Sequence, residues 1–154
     1  MLYTATKTEA HERGLLHRTV ISELINAKGE WVLVQQAADR QDAGRYVSPM
    51  GGHVHAGERV EDALKREVLE ELGIEGFSYC FVGKAIYRRH VLGRDENHYF
   101  LLYESFSDNE LTLNAESVGF KKFTVRELKE ALQTAPGKFG EAFHFVLNTF
   151  YPDL

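Results

Sequence analysis

Runs of apolar and β-branched residues predict four strands. Residues 18–25 and 30–35 form the first two, and Asn26-Ala-Lys-Gly29 between them has the composition of a hairpin turn. Residues 77–90 and 98–106 predict two more strands, with residues 93–97 as the turn that joins them. The strands therefore come in two pairs, separated by a long central segment.

The central segment combines a glycine-rich stretch with an amphipathic helix. Residues 39–57 contain Pro49 and four glycines, which predict a loop. A helix follows over roughly residues 58–72, and Gly73 supplies the usual C-terminal stop. Its apolar positions recur every four residues and would anchor one face on the sheet; they are Val60, Leu64, Val68 and Leu72.

Two further helices are predicted near the C-terminus. Thr124-Val-Arg-Glu127 has capping-box spacing and opens a helix that stops before Pro136. Apolar residues at helical spacing predict a last helix that packs on the core; they are Phe139, Phe143, Val146, Leu147 and Phe150. Strands and helices interleave without a regular βαβ rhythm, which predicts a mixed sheet flanked by helices and an α+β fold. We expect residues 1–154 to form a single domain.

Composition narrows the functional classes. A hydrophobic fraction of 44% supports a packed core and argues against disorder. Lys and Arg total 18 against 23 Asp and Glu, so the net charge of -5 disfavours binding to a nucleic-acid duplex. The single cysteine, Cys80, cannot form an intramolecular disulfide, and no apolar run has the length of a signal or membrane segment. We therefore expect a cytoplasmic protein that does not associate with membranes.

Candidate chemistry is concentrated on the central helix. Glu67, Glu70 and Glu71 are spaced i, i+3, i+4 and share one helix face. Three neighbouring carboxylates repel each other, but hard cations such as Mg²⁺ take oxygen ligands of this kind. Arg66 can pair with one of them and fix its rotamer. The alternative interpretation is a solvated acidic helix face, which is the usual role of charge runs on helices.

The whole segment resembles the signature of the Nudix hydrolase family. In that signature a glycine is followed after five residues by glutamate, and seven residues later by Arg-Glu, an aliphatic residue, any residue, Glu-Glu, any residue, Gly and an aliphatic residue. Every specified position matches here, at Gly52, Glu58, Arg66, Glu67, Val68, Glu70, Glu71, Gly73 and Ile74.

The resemblance implies an α/β/α sandwich with a central mixed sheet and an enzyme that uses Mg²⁺ or Mn²⁺. Family members typically hydrolyse a nucleoside diphosphate linked to another moiety, so the partner is a small phosphorylated substrate. By position, the implied metal ligands are Gly52, Glu67, Glu70 and Glu71, and the implied catalytic residues are Glu67, Glu70, Arg66 and Glu58. The resemblance leaves open the general base and the exact substrate. Homodimers are common in the family, so a homodimer is a further expectation.

The segments outside this signature also resemble the branch of the superfamily that contains type I isopentenyl diphosphate isomerase. The similar segments are residues 9–18, before the first strand, and residues 136–139, before the last helix. The isomerase has a catalytic cysteine directly before the Gly-His of this loop, where this chain has Gly51, so isomerase activity is the weaker alternative. Equivalent histidines bind a second metal in that branch; here they are His11, His17, His53 and His55. They are equally compatible with ordinary surface positions.

Other residues could contact a substrate. Arg45, Lys84, Arg88 and Arg89 are candidates to bind phosphate groups, although each is also compatible with solvated surface charge. Tyr87 or Phe106 could stack on a base or belong to the core. Glu116 could add a carboxylate to the metal site or be solvated. A Nudix-like domain that binds a ligand without catalysis is a third alternative, disfavoured because no signature position is lost.

Overall fold

The computed structural model describes residues 16–40, 42–91 and 94–154. Its elements, in chain order, are β1 (Leu16–Ile25), β2 (Trp31–Gln36), β3 (Tyr46–Val47), β4 (Met50–His53), α1 (Val60–Leu72), β5 (Ser78–Val91), β6 (Arg94–Phe106), β7 (Ser117–Phe123), α2 (Val125–Thr134), a 3₁₀ turn (Pro136–Lys138) and α3 (Glu141–Phe150). None of the helices in these ranges has the length and apolar character needed to cross a bilayer.

The strands form one mixed sheet around β1. Strand β1 runs parallel to β6 and antiparallel to both β2 and β4. The main order is β3-β2-β1-β6-β5, with β4 paired to β1 and β7 paired to β2. The predicted mixed sheet is therefore confirmed, and β1 brings strands from distant parts of the chain side by side.

Helices cover both faces of the sheet, because successive strand residues point to opposite sides. In β1, Val20 packs in a cluster with Leu64 and Val68 of α1. The next residue, Ile21, packs in a cluster with Val146 of α3 on the other face. The predicted α/β/α sandwich is confirmed, and β1, β4 and α1 lie next to one another on one side of it.

Helix α1 is a rigid platform fixed by its apolar side. Leu64, Val68 and Leu72 are almost fully buried, and burying side chains of this size stabilises a fold by about 1.5–3 kcal/mol each. The helix ends as predicted at Gly73, whose φ of 69° is left-handed and whose N–H donates to the Leu69 carbonyl. The carboxylates on the other side of the helix are thus held on an element that cannot easily shift.

Three local predictions were wrong in detail. The expected loop over 39–57 contains β3 and β4, because glycines in β4 still form ladder hydrogen bonds with β1. Strand β6 begins at Arg94, inside the predicted turn, while residues 92–93 lie outside the described residues. Strand β7 was not predicted. Its sequence mixes apolar and charged residues without a clear strand pattern, and it becomes a strand by pairing with β2.

The C-terminal helices agree with the sequence more closely. Thr124 and Glu127 form both bonds of the predicted capping box. Helix α3 begins at Glu141, so Phe143, Val146 and Leu147 form its buried side. Phe139 was placed in that helix by its spacing, but it precedes the helix in extended conformation and is buried in the core.

Candidate active site on helix α1 and the facing cleft

Strand β4 brings the backbone of Gly52 against the side chain of Glu67. Gly52 pairs with Val20 of β1, which fixes its position on the sheet. A Cβ atom built on Gly52 would overlap the Glu67 carboxylate. Only glycine leaves room for this carboxylate, so two residues of the sequence signature meet directly.

Arg66 connects helix α1 to the segment that precedes it. Its Nε and Nη2 atoms donate to the two oxygens of Glu58, each at 3.0 Å, and Nη2 also donates to the His53 carbonyl at 3.0 Å. Its Nη1 atom donates to Glu67 Oε1 at 2.7 Å. The guanidinium thereby joins the β4 end, the helix start and the buried carboxylate in one network.

Glu58 is the carboxylate that balances the positive charge of Arg66. Bidentate hydrogen bonds from Arg66, together with the backbone N–H of His55, lower the pKa of Glu58 to about 2. Glu58 therefore stays ionised and orients Arg66, while Arg66 in turn orients Glu67. The supporting role implied for Glu58 and the orienting role implied for Arg66 in catalysis stay predictions.

Glu71 lies one turn beyond Glu67, beside a carboxylate from another part of the chain. It accepts a hydrogen bond from the Gly51 N–H at 3.2 Å, and Glu116 is near enough to act on its charge. Burial, reinforced by the nearby charges of Glu67 and Glu116, raises the pKa of Glu71 to about 9. Burial also raises the pKa of Glu67. A cation placed among these groups would favour their ionised forms.

Glu70 has a different environment from its two helix neighbours. Its side chain is 57% exposed, against 12% for Glu67, and its Oε2 is 3.7 Å from Arg66 Nη1. The structure therefore keeps Glu67 and Glu71 largely buried and leaves Glu70 at the rim, while Glu116 lines the cleft with 41% of its side chain exposed. The Gly52 carbonyl and the carboxylates of these four glutamates stay the predicted oxygen ligands for a cation.

A cleft of about 200 Å³ opens beside Glu71. Its polar lining includes Gln36, Arg40, Asn114, Glu116 and Ser117, and its apolar lining includes Tyr87, Phe100 and Phe143. A ligand in this cleft can contact the Glu71 carboxylate and an aromatic wall at the same time. The cleft has the mixed lining that is usual for small-molecule sites.

The expected phosphate-binding residues do not line this cleft. Arg45, Lys84 and Arg88 are absent from its lining, and the side chain of Arg89 lies outside the described part of the chain. Among the lysines and arginines whose side chains are described, only Arg40 lines the cleft. Sequence reasoning missed Arg40 because nothing in residues 37–45 distinguishes one arginine from another.

The candidate aromatic residues separate in the same way. Tyr87 lines the cleft, but only 9% of it is exposed and it packs in a core cluster with Phe100. Phe106 is 38% exposed and lies outside the cleft lining. Glu116 lines the cleft from the loop before β7, with 41% of its side chain exposed, so both of its interpretations stay open.

A second cluster of metal-ligating side chains lies next to the Arg66 network. His17 of β1, His53 of β4 and His98 of β6 each offer a ring nitrogen, and these atoms all lie within 4.8 Å of one another. His55 is not part of the cluster: its side chain is 65% exposed and lies near Glu58. His11 lies outside the described residues.

His98 was absent from the histidines singled out in the sequence. It joins the cluster because β1 pairs with β6 in parallel, with His17 directly opposite His98. Residues 79 positions apart, such as Thr19 and His98, are hydrogen-bonded here at 2.8 Å. A pairing over that distance leaves no local pattern, so the sequence could not indicate it.

Cys80 is remote from both groups. It is exposed on β5, and its Sγ is 3.9 Å from Glu104 Oε1. No cysteine among the described residues lines the cleft. The thiol that the isomerase places before the Gly-His pair has no substitute in this part of the structure.

Comparison with known proteins identifies the arrangement. A family model for the NUDIX domain matches residues 15–143. The chain belongs to the Nudix hydrolase family. Nucleoside triphosphatase NudI of Klebsiella pneumoniae subsp. pneumoniae is 33% identical over 122 residues, covering 73% of this chain and 86% of that protein.

Two other proteins show how widely the Nudix similarity extends. Isopentenyl-diphosphate Delta-isomerase 2 of Photorhabdus laumondii subsp. laumondii is 26% identical over 154 residues, covering 94% of this chain and 83% of that protein. The crystal structure of the MutT protein from Methanosarcina mazei Go1 matches with a TM-score of 0.70 at 20% identity, covering 90% of this chain and 94% of that protein. The second comparison supports the fold alone.

Proposed function

We propose that this Nudix hydrolase cleaves a diphosphate linkage in a nucleoside triphosphate or a related nucleoside diphosphate derivative, with Mg²⁺ or Mn²⁺ as cofactor. The observation that carries the proposal is the contact of the Glu67 side chain with the backbone of Gly52, with Glu71 and Glu116 nearby in the lining of a cleft. The similarity to a nucleoside triphosphatase supports nucleoside triphosphates as the first substrates to test.

The donor set fits a hard divalent cation. The proposed ligands are the Gly52 carbonyl and the carboxylates of Glu67, Glu70 and Glu71, with Glu116 as an additional carboxylate. All of these donors are oxygen atoms, which Mg²⁺ and Mn²⁺ prefer. When bound, the cation would neutralise substrate phosphate charge and acidify a water molecule.

The protein itself contributes position and charge. Arg66 and Glu58 hold the Glu67 carboxylate in one orientation, so it need not reorganise during the reaction. Helix α1 fixes Glu67 and Glu71 one turn apart. We expect a carboxylate of this group to accept the proton of the attacking water, because Glu71 and Glu116 line the cleft and a carboxylate can act as a general base.

A substrate panel tests the proposal. The protein would be incubated with Mg²⁺ and nucleoside triphosphates, nucleotide sugars, dinucleoside polyphosphates, coenzymes and isopentenyl diphosphate, and the products identified by mass spectrometry. We expect cleavage of a P–O–P bond in at least one nucleoside compound, with EDTA-treated samples as the control. Cleavage that continues after exhaustive chelation would contradict a metal-dependent mechanism.

The same panel separates the alternatives. Conversion of isopentenyl diphosphate to its isomer, without phosphate release, would support the isomerase-like reading that the 26% identical relative suggests. Binding of nucleotides without turnover would support a non-catalytic ligand-binding domain. A homodimer and a cytoplasmic location stay predictions, which sedimentation and fractionation would test.

We also propose that His17, His53 and His98 form a second metal site. Three imidazoles from three adjacent strands converge on one point, and their ligand atoms lie within 4.8 Å of one another. Imidazole ligands suit Zn²⁺, Co²⁺ and related ions, whereas the glutamates suit Mg²⁺. Arg66 donates to the His53 carbonyl, so the two sites are joined through one backbone group.

Cobalt binding tests the histidine site independently of activity. Titration with Co²⁺ in the presence of excess Mg²⁺ should produce a visible absorption band typical of cobalt bound to nitrogen ligands. The band should saturate at one equivalent of Co²⁺ per chain. His53→Ala should remove the band, while His55→Ala, which changes an exposed histidine only two residues away, should keep it. An unchanged band in His53→Ala would show that the triad does not bind the metal.

A further inference from the structure

We propose that Arg40 is the substrate-recognition residue of the cleft, and that its guanidinium binds the phosphoryl group next to the bond being cleaved. The inference rests on the proposed function, because it takes a polyphosphate as the ligand. It assigns a role to a residue that lies outside the Nudix signature and outside the phosphate-binding candidates of the sequence.

The position of Arg40 is fixed by the backbone around it. Its N–H donates to the Ala37 carbonyl at 3.1 Å, which closes a turn directly after β2. The Ala37 N–H donates to the Glu116 carbonyl at 2.9 Å. The turn that carries Arg40 is therefore fastened to the segment that carries Glu116, and the two side chains face each other at the cleft.

Glu116 interacts with both the Arg40 guanidinium and the Glu71 carboxylate. Arg40 Nη2 is 3.3 Å from Glu116 Oε1, and Glu116 is near enough to Glu71 to act on its charge. Adjacent phosphoryl groups share a single bridging oxygen. A substrate with one phosphoryl group at Glu71 would therefore place its neighbour close to Arg40.

Charge makes Arg40 the group that can attract the anion. Among described residues, the charged lining of the cleft consists of Arg40 and three acidic residues, Asp42, Glu71 and Glu116. The acidic groups alone would repel a polyphosphate. A guanidinium can form two parallel hydrogen bonds to a phosphate, which combines attraction with orientation.

The contact with Glu116 does not prevent this role. The side chains of Arg40 and Glu116 are 46% and 41% exposed. Exposed ion pairs of this kind contribute little to stability, so a phosphate can replace Glu116 as the partner of Arg40. The same contact keeps the guanidinium at the cleft before a substrate binds.

Arg45 provides a matched control in the same loop. Its side chain is 47% exposed and also has an acidic partner, with Nη1 3.8 Å from Asp42 Oδ1. Unlike Arg40, it does not line the cleft. Arg40→Gln and Arg45→Gln each remove one positive charge from residues 37–45, so a difference between them reports the position of the charge.

The experiment measures binding of imidodiphosphate, a non-hydrolysable diphosphate, by calorimetry at saturating Mg²⁺. We expect Arg40→Gln to raise Kd about 10- to 100-fold, as for loss of charge-assisted hydrogen bonds, and Arg45→Gln to leave Kd within about two-fold, as for an exposed charge that does not line the cleft. Arg40→Lys should fall between wild type and Arg40→Gln, because it keeps the charge but loses the paired donors. In turnover assays Arg40→Gln should raise KM more than it lowers kcat.

Two outcomes would overturn the assignment. One is unchanged imidodiphosphate affinity in Arg40→Gln, and the other is an equal loss in Arg45→Gln. The proposed function fails separately: wild-type protein that binds imidodiphosphate through Arg40 but cleaves nothing in the substrate panel would retain the recognition role and reject the hydrolysis. Cleavage with affinity independent of Arg40 would do the reverse.

Discussion

Replacement of Glu71 by glutamine is expected to lower kcat about 10²–10³-fold, the usual loss for a charge-stabilising group of this class. Glutamine keeps the size of the side chain and can still accept a hydrogen bond from the Gly51 N–H. It removes the negative charge that a cation beside Glu67 and Glu116 would need. Folding should be preserved or slightly improved, because glutamine is uncharged and carries no cost of ionising a buried carboxyl group.

The measurement is kcat at saturating Mg²⁺ beside a thermal melt of the same sample. Glu61→Gln is the matched control, since Glu61 lies on the same helix but does not line the cleft. Its carboxylate is 3.9 Å from the Arg59 guanidinium. It should melt and turn over like the wild type. A Glu71→Gln protein that melts normally and keeps near-wild-type kcat would show that Glu71 binds no catalytic metal.

Replacement of Gly52 by alanine is expected to lower kcat by about 10²-fold, because a misplacement of about 1 Å can have that effect on a catalytic group. The new methyl group would occupy the space of the Glu67 carboxylate and push it away from its contact with Arg66. Gly52 is not among the glycines with positive φ, so the backbone itself accepts alanine. Overpacking of this kind typically costs about 1–3 kcal/mol of stability.

Gly119→Ala is the control for this substitution. Gly119 also lies in a strand without positive φ, but no atom lies within 4 Å of a Cβ built there. It should change neither kcat nor the melting temperature by much. If Gly52→Ala keeps wild-type kcat while binding Mg²⁺ normally, the position of Glu67 beside Gly52 is not needed for catalysis.

The elements with local signals could be predicted from the sequence. Helix α1 has an apolar side that repeats every four residues and a glycine stop, and both features act within the helix. The capping box at Thr124 is similarly local. Strand β7 could not be predicted, because it contains a glycine and two lysines and forms a strand through its pairing with β2.

The same distinction holds at the candidate site. The signature residues Arg66, Glu67 and Glu71 could be placed on one helix because their spacing of one and four residues fixes their relation. The sequence by itself thus determined the family, the sandwich fold and the acidic helix. It did not indicate which of the helix carboxylates would be buried, since that depends on what packs above them.

The tertiary structure decided the remaining partners. Glu116 lies near Glu71, Arg40 forms an ion pair with Glu116, and His98 lies opposite His17. These pairs form because β1 and β2 hold distant segments of the chain side by side. These residues come from a turn, a loop and a strand that have no common spacing in the chain. Contacts between distant segments follow from strand pairing and packing, and such pairing leaves no periodic pattern in the sequence from which it could be read.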